Sequence, residues 1–383
     1  MAVWPIEVDG NCIWFSDELI GGLYEYHKLS KKVKCIISPI NLYEYNIFRI
    51  NGIVCWREFI IVCPFFLSCP IIVYSKENKT LKAVHIRGIE KYTMLDCAKK
   101  IENTLYLNMY YSDIAVYMLN FDKLCDSQTK EIFPEMISYP DNCLHTVWFA
   151  KCFNNIICLP DNGGKKIYCV KEKEISTINL KVPKDIFTIN FYQSELWVIS
   201  IDGWELYRVD QDGKLLEMIV LDKNDFSRNG LGVFHIAATE KYFFLMFHNR
   251  RLGCYDRKEH CKVELGICSE DLENLYINEL PGTFLFGIEH ENKLFIPPYG
   301  NRGLQVNLKT LECQAIDVFF PDEFEKNLKY YMGIVRAHKG CNFFHENMEK
   351  SLVAYLKYGI SNKSMNDFSE HSRINQGRKY LYS

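Results

Sequence analysis

Three arginines stand in two short polar segments, each of which separates a pair of apolar runs. Arg250 and Arg251 lie in FHNRRLG, and Arg302 lies in YGNRGLQ, with His248 and Tyr299 in the same segments. A guanidinium group binds carboxylates and phosphates through paired hydrogen bonds, and histidine and tyrosine supply further donors. If folding brings the segments together, the three arginines predict a sector that attracts an anion, and His248 and Tyr299 are further candidates for binding. Solvated surface charges would explain the same arginines without a ligand.

Trp204 and two histidines are further residues whose types could serve a binding site. Trp204 lies in the turn-like segment SIDGWEL, although tryptophan is not a turn former. An exposed tryptophan is a common binding anchor, whereas a buried one packs on a neighbouring element, and the sequence leaves both open. His235 and His145, together with Trp148 and Arg336, lie where strands approaching a central channel are expected. A lone histidine at such a place is more often structural than catalytic.

Neither a catalytic motif nor a metal-binding motif is visible in the sequence. There is no nucleophile elbow, and the GGKK segment lacks the pattern of a phosphate-binding loop. The 16 cysteines are scattered, most of them inside apolar runs, and no CxxC pair occurs. Buried cysteines behave as small apolar residues, so we expect reduced thiols in a cytoplasm, no metal and no cofactor. The sequence does not indicate a reaction.

Composition and charge narrow the class of protein. Apolar residues make up 48% and aromatic residues 14% of the chain, which is enough for a large core. The formal charge of −3 argues against nucleic acid as the main partner, because phosphate binding needs a strong basic excess. The first residues do not resemble a signal peptide, and prolines interrupt the most apolar stretch. We therefore expect a cytoplasmic protein without a membrane partner.

A strand–turn–strand unit recurs along the chain. Each copy has a run of four or five apolar residues, a short turn and a second run of alternating aromatic or aliphatic residues. A polar turn and a third run follow most copies, and another short strand-like piece precedes most of them. The repeat is about 47 residues long, a period typical of four-stranded β-propeller blades. The copies begin at Ile13, Phe59, Leu105, Ile156, Leu196, Phe243 and Leu294.

With this repeat the chain resembles a β-propeller of the kelch and WD40 type, similar in style to uncharacterised bacterial propellers. It lacks the WD dipeptide and a regular double glycine in its repeats. The prediction is an all-β propeller over residues 1–340 with seven blades, six and eight being alternatives. Residues 341–383 are expected to form a partly helical extension that docks on or closes the propeller. The N-terminal VWPIEV is expected to add a strand to the last blade.

The strand order of a propeller blade predicts where a site would lie. With strands named A to D in chain order, the B–C turns and the D–A connections share one face. A protein or peptide partner held on that face is the favoured function, because no catalytic signature is present. The alternative is a lyase, hydrolase or isomerase that acts on an anionic carbohydrate or a modified peptide in a central funnel. A deep funnel would favour the enzyme, and a flat aromatic face would favour the scaffold.

Overall fold

The computed structural model describes residues 3–17, 21–47, 49–90, 93–226, 232–247, 251–266, 287–299 and 302–317. Its strands form seven blade sheets, each with four antiparallel strands, to one of which a short fifth strand is added, and the fold is a seven-bladed β-propeller. By internal contacts the chain divides into two compact units. The N-terminal unit comprises Met1–Ile201 and Glu205–Ile219, and the C-terminal unit comprises Asp202–Trp204 and Val220–Ser383.

Blades 1 to 5 belong to the N-terminal unit, apart from the turn Asp202–Trp204 and the last residue of blade 5. In each blade the strands pair in chain order, from A through B and C to D. Blade 1 contains β1 (Val3–Asp9), β2 (Cys12–Asp17), β3 (Gly21–His27) and β4 (Lys32–Ile37), and blade 2 contains β5 (Ile50–Trp56), β6 (Phe59–Pro64), β7 (Ile71–Ser75) and β8 (Leu81–Ile86). Blade 3 contains β9 (Leu95–Ile101), β10 (Thr104–Met109), β12 (Ile114–Asn120) and β14 (Glu135–Ser138). Blade 4 contains β16 (Lys151–Phe153), β17 (Ile156–Pro160), β18 (Lys166–Lys171) and β19 (Glu174–Asn179), and blade 5 contains β20 (Ile186–Tyr192), β21 (Glu195–Ser200), β22 (Glu205–Val209) and β23 (Leu215–Val220).

The C-terminal unit holds blades 6 and 7, which follow the same strand order. Blade 6 contains β24 (Val233–Ala238), β25 (Tyr242–Phe247), β26 (Leu252–Asp256) and β27 (Cys261–Val263). Blade 7 contains β28 (Ile288–His290), β29 (Lys293–Tyr299), β30 (Arg302–Asn307) and β31 (Cys313–Asp317).

A few short elements connect or extend the blades. Three helices of four or five residues are described: α1 (Pro39–Tyr43), α2 (Phe121–Cys125) and α3 (Lys223–Phe226). No helix in the described ranges is long and apolar enough to cross a membrane. The short strand β13 (Glu131–Ile132) pairs in parallel with β8 and covers the outer edge of blade 2. A two-residue strand after β10, β11 (Tyr111–Ser112), pairs with β15 (His145–Thr146) outside the blades.

The solid apolar runs of the B strands follow from burial on both faces of each inner sheet. In β6, Ile60 and Val62 join a core cluster that includes Trp14 of blade 1. The residues between and after them, Ile61 and Cys63, point to the other face and join a cluster with blade 3. Because side chains alternate between faces, a strand packed between two blades must be apolar at every position. Blades 1 to 5 are thus joined in sequence through apolar cores.

The recurring unit of the sequence corresponds to strands B and C in all seven blades. The two runs of each copy coincide with β2–β3, β6–β7, β10–β12, β17–β18, β21–β22, β25–β26 and β29–β30. The third run, which follows the polar turn after most copies, corresponds to the D strand of the blade. The interpretation of the repeat as a blade is confirmed, and so is the count of seven.

Two strand predictions were wrong. VWPIEV does not add to the last blade, because Val3–Asp9 pairs with Cys12–Asp17 as strand A of blade 1. The strand expected at His145 and Trp148 is not strand A of blade 4, which is the short Lys151–Phe153. In both cases the hydrophobic pattern indicated a strand but could not specify its partner. The proposed C-terminal extension and an eighth unit near its start lie outside the described residues, as does Arg336.

Candidate functional site: the turn face of the N-terminal unit

A series of backbone hydrogen bonds joins the B–C turns of the N-terminal unit to the D–A connections. Each of the middle turns is bonded to the connection before it and to the connection after it. The B–C turns and D–A connections therefore share one face, here called the turn face. The bonds are Phe65 N to Arg49 O (2.9 Å), Leu95 N to Phe65 O (2.7 Å), Tyr110 N to Met94 O (2.8 Å), Val147 N to Tyr110 O (2.9 Å), Asn162 N to Thr146 O (2.8 Å) and Gly163 N to Ile186 O (2.9 Å).

Five half-buried aromatic side chains lie on the turn face of blades 2 to 4: Phe65, Phe66, Tyr110, Tyr111 and Trp148. The rings of Phe65 and Phe66 meet edge to face at 4.6 Å between centroids, and those of Tyr110 and Trp148 do so at 4.9 Å. Aromatic rings that are partly open to water offer apolar area at a small loss of side-chain freedom. We call these five residues the aromatic patch.

A buried carboxylate anchors the segment that carries Trp148. Asp96 is 5% exposed and accepts hydrogen bonds from the backbone N–H groups of Phe149 (3.1 Å) and Ala150 (3.2 Å). The side-chain amide of Asn108 lies 3.4 Å from the same carboxyl group. Burial raises the pKa of Asp96 to about 6, against the two backbone donors, which lower it. The connection between blades 3 and 4 is thereby tied to strand A of blade 3.

His145 lies between two carboxyl groups beside the aromatic patch. Its Nε2 is 2.8 Å from Oδ1 of Asp141, and its Nδ1 is 3.2 Å from Oδ1 of Asp161. A neutral imidazole has one donor and one acceptor. Two hydrogen bonds to carboxyl groups therefore require one additional proton, either on the ring or on a carboxyl group. The three residues form a group that can hold and release a proton.

The electrostatics of the two carboxyl groups differ because their surroundings differ. The hydrogen bond from His145 holds the pKa of Asp141 at about 2, and Asp141 also opens to solvent. Burial raises the pKa of Asp161, and the hydrogen bond from His145 opposes that rise. Lys166 stands 3.7 Å from Oδ2 of Asp141. Asp141 is therefore the carboxylate that stays ionised most readily.

Two tyrosines surround His145. The hydroxyl of Tyr168 lies 3.3 Å from Nε2 of His145 and 3.4 Å from Oδ2 of Asp141. The ring of Tyr139 packs at 4.4 Å from the imidazole, and its buried hydroxyl has no hydrogen-bond partner among the described residues. We call His145, Asp141, Asp161, Tyr168 and Tyr139 the histidine cluster. Tyr139, Asp141 and His145 come from the connection before blade 4, Asp161 comes from the B–C turn of that blade, and Tyr168 lies on β18.

Trp204 is buried. It is 3% exposed, and its ring centroid lies 5.9 Å from that of Phe247. Nζ of Lys223 lies 5.6 Å from the centroid of the Trp204 ring, and all three residues belong to the C-terminal unit. The preceding Gly203 has φ +72, and a Cβ there would stand 2.4 Å from the carbonyl oxygen of Val233, so only glycine fits the turn. Of the two interpretations of Trp204, the structure favours packing. Its place in a binding site stays a prediction.

The residues of the predicted anion sector are described only in part. Arg251 is half-buried, and its guanidinium is 3.4 Å from the backbone oxygen of Asp225. It borders a recess of about 20 Å³, room for one water. Tyr299 ends β29 and Arg302 begins β30, and their Cα atoms pair across the turn. His248 and Arg250 lie outside the described residues. The anion sector therefore stays a prediction.

His235 lies on strand A of blade 6, as the sequence predicted for a residue near the channel, and is half-buried opposite Met246 of β25. The sequence also named Trp148 and His145, which lie on or near the turn face. It missed Asp96, Asp141, Tyr139 and Tyr110. Nothing in the types or spacing of these four residues marks them. In the described ranges no three His, Cys, Asp or Glu side chains converge as a metal site would require.

Comparisons with known proteins support the fold and no more. No protein-family model matches the sequence, and no curated protein matches it. Among solved structures, the chain is similar to YCF48 bound to D1 peptide, with 10% identity and a TM-score of 0.55, covering 77% of this chain and 88% of that one. It is similar to the WD40 β-propeller domain of Doa1, with 10% identity and a TM-score of 0.50, covering 77% of this chain and 88% of that one. It also resembles the dihydro-heme d1 dehydrogenase NirN in complex with DHE, with 8% identity and a TM-score of 0.53, covering 83% and 66%.

Proposed function

We propose that the protein is a cytoplasmic binding propeller that holds a protein or peptide partner on the turn face of its N-terminal unit. The aromatic patch is the observation that supports this function. Among its structural neighbours, YCF48 is bound to a peptide, whereas NirN is a dehydrogenase. The kelch likeness and the bacterial grouping remain expectations from sequence style.

The support for binding comes from how the patch is held. The backbone on either side of Phe65, Tyr110 and Trp148 is bonded to neighbouring segments, and Asp96 fixes the residues after Trp148. A partner would therefore order few residues of this surface on binding, which improves the affinity obtained from a given area. Aromatic side chains near the centre of an interface commonly contribute about 2 kcal/mol or more each when truncated.

The test begins with the selection of partners by the full-length protein. A random peptide library is panned against it, and the selected peptides are measured by calorimetry with the wild type and with Trp148→Ala. We expect the variant to weaken binding by about tenfold or more, equivalent to about 1.4 kcal/mol. Tyr110→Ala should act in the same direction, because its ring contacts Trp148. Thermal unfolding of each variant establishes that it is folded.

Phe133→Ala is the matched control for this experiment. Phe133 is 76% exposed and follows β13 at the outer edge of blade 2, so it is an aromatic residue away from the turn face. Its replacement should leave the affinity of the selected peptides unchanged. Peptides that bind Trp148→Ala and Tyr110→Ala as tightly as the wild type would refute the proposed site.

The histidine cluster supports a second candidate, the enzyme with an anionic carbohydrate or modified peptide as substrate. His145 and its two carboxyl groups could move a proton. Binding of an anionic group by Arg250, Arg251 and Arg302 is a separate expectation from the sequence and is tested by itself. The probe is an oligogalacturonate titrated into the full-length protein. Binding that is weakened by combined Arg250→Ala and Arg302→Ala replacement would support this candidate. Absence of binding, or binding that the double variant leaves unchanged, would remove the anion sector.

A further inference from the structure

Two cysteines of blade 4 face each other across neighbouring strands. Cys158 of β17 and Cys169 of β18 are direct Cα partners in the antiparallel ladder. Their Sγ atoms are 3.9 Å apart. Partners in such a ladder point to the same face of the sheet, so the two thiols share one side of the blade.

The register shows that this pair has the geometry of a cross-strand disulfide. The backbone N–H of Asp161 donates to the oxygen of Lys166, which makes these residues a hydrogen-bonded pair. Hydrogen-bonded and non-hydrogen-bonded pairs alternate along an antiparallel ladder. Three steps further, Cys158 and Cys169 form a non-hydrogen-bonded pair, whose Cα atoms lie about 4.5 Å apart. That separation falls within the range that disulfides span.

The two thiols differ in access and acidity. Cys158 is buried, whereas Cys169 is half-buried and nearer to solvent. The contact between the two sulfur atoms lowers the pKa of Cys169, and burial of Cys169 opposes that effect. The same contact and burial raise the pKa of Cys158. Cys169 is therefore the sulfur that an external oxidant reaches first and the one with more thiolate character.

We propose that Cys158 and Cys169 form a reversible thiol–disulfide site that a peroxide oxidises. The Cys169 thiolate attacks one oxygen of hydrogen peroxide, the O–O bond breaks, and a sulfenic acid and, after protonation, water are formed. The thiol sulfur of Cys158 then attacks the Cys169 sulfur, displaces water and forms the S–S bond. Two thiols lose two electrons, and one peroxide becomes two waters. A dithiol reductant reverses the bond by exchange.

The disulfide would brace the hairpin that carries part of the histidine cluster. Residues 158 and 169 lie on either side of the turn that contains Asp161, and Tyr168 precedes Cys169. A bond across these strands limits how far the turn can open. The disulfide also closes a loop in the unfolded chain, which lowers the conformational entropy of the unfolded state. Oxidation should therefore raise the melting temperature by about 5 °C.

The experiment treats the full-length protein with hydrogen peroxide, alkylates the remaining thiols and identifies linked peptides by mass spectrometry without reduction. We expect one peptide pair joined through Cys158 and Cys169, which disappears after treatment with dithiothreitol. The wild-type measurement needs no variant and so cannot fail through misfolding. Cys158→Ser should abolish the linked peptide and leave Cys169 singly oxidised.

Cys152→Ser is the matched control within the same blade. Cys152 is exposed on β16 opposite Ile157, so it points to the other face of the sheet from Cys158. Its replacement should leave the linked peptide unchanged. The proposed site is wrong if peroxide oxidises Cys152 while Cys158 and Cys169 remain reduced and are recovered in the alkylated form. It is also wrong if Cys169 is found linked to another cysteine.

Discussion

Asp96 and Asp161 are both withdrawn from water beneath or beside the turn face, and burial raises the pKa of each. Their partners differ. Asp96 accepts backbone N–H groups, which do not titrate, whereas Asp161 meets His145, which does. The comparison teaches that burial alone does not distinguish a structural carboxyl group from a chemical one. Asp96 sets the position of a chain segment, and Asp161 belongs to a group that can exchange a proton.

The largest effect is expected from removing the structural carboxyl group. Asp96→Ala leaves two buried backbone N–H groups and the amide of Asn108 without their acceptor, so the free energy of unfolding should fall by about 3 kcal/mol. Urea unfolding of the wild type and the variant measures the difference. Asp113→Ala, an exposed aspartate of the blade 3 turn, is the control and should change the free energy of unfolding by less than about 0.5 kcal/mol. Equal loss in both variants would contradict the assigned role of Asp96.

The two regions should also respond to pH in opposite directions. The folded chain binds the proton of Asp96 more tightly than the unfolded chain, since the pKa is about 6 rather than 3.8. This group is therefore most stabilising below pH 4, and its contribution of up to about 3 kcal/mol is lost as pH rises to 6. Asp141, whose pKa is lowered to about 2, stabilises the fold above pH 4 and loses that contribution as pH falls towards 2.

Urea unfolding measured from pH 2 to pH 7 separates these contributions. Asp96→Asn should flatten the decline between pH 4 and pH 6, although Asp161 has a raised pKa and contributes with the same sign. The same substitution should leave the change between pH 2 and pH 4 in place. A decline between pH 4 and pH 6 that Asp96→Asn does not reduce would show that other groups cause it.

A smaller effect is expected from the histidine cluster. His145→Leu removes the donor to Asp141, so the pKa of Asp141 should rise towards its ordinary value, and the free energy of unfolding should fall by about 1 kcal/mol. A carboxyl NMR titration measures the pKa directly. Lys166→Gln, at 3.7 Å and half exposed, should change the free energy of unfolding by no more than about 0.5 kcal/mol. An unchanged pKa of Asp141 in His145→Leu would exclude the hydrogen bond as the cause of the lowered pKa.

Much of the fold was predictable from the sequence, for a physical reason. Residues such as Ile60 to Cys63 are apolar at consecutive positions because alternate side chains pack on two neighbouring blades. That pattern repeats and can be recognised. The partner of Val3–Asp9 was not predictable, because it depends on pairing and not on the strand's own composition.

The candidate site was less predictable because distant residues form it. Asp141 and His145 lie in one connection, but Asp161 and Tyr168 belong to the next blade. They contact His145 only in the folded structure. The aromatic patch likewise combines two turns and a connection. The sequence predicted an anion sector from the charge of Arg250, Arg251 and Arg302. Charge alone does not indicate which residues are close together in the folded chain.

The backbone hydrogen bonds of the turn face have a consequence for how such a surface changes during evolution. Because main-chain atoms make these bonds, from Arg49 to Ile186, the framework does not depend on which side chains stand at most of these positions. The side chains of this face could therefore be replaced by point substitutions without a change in the course of the backbone.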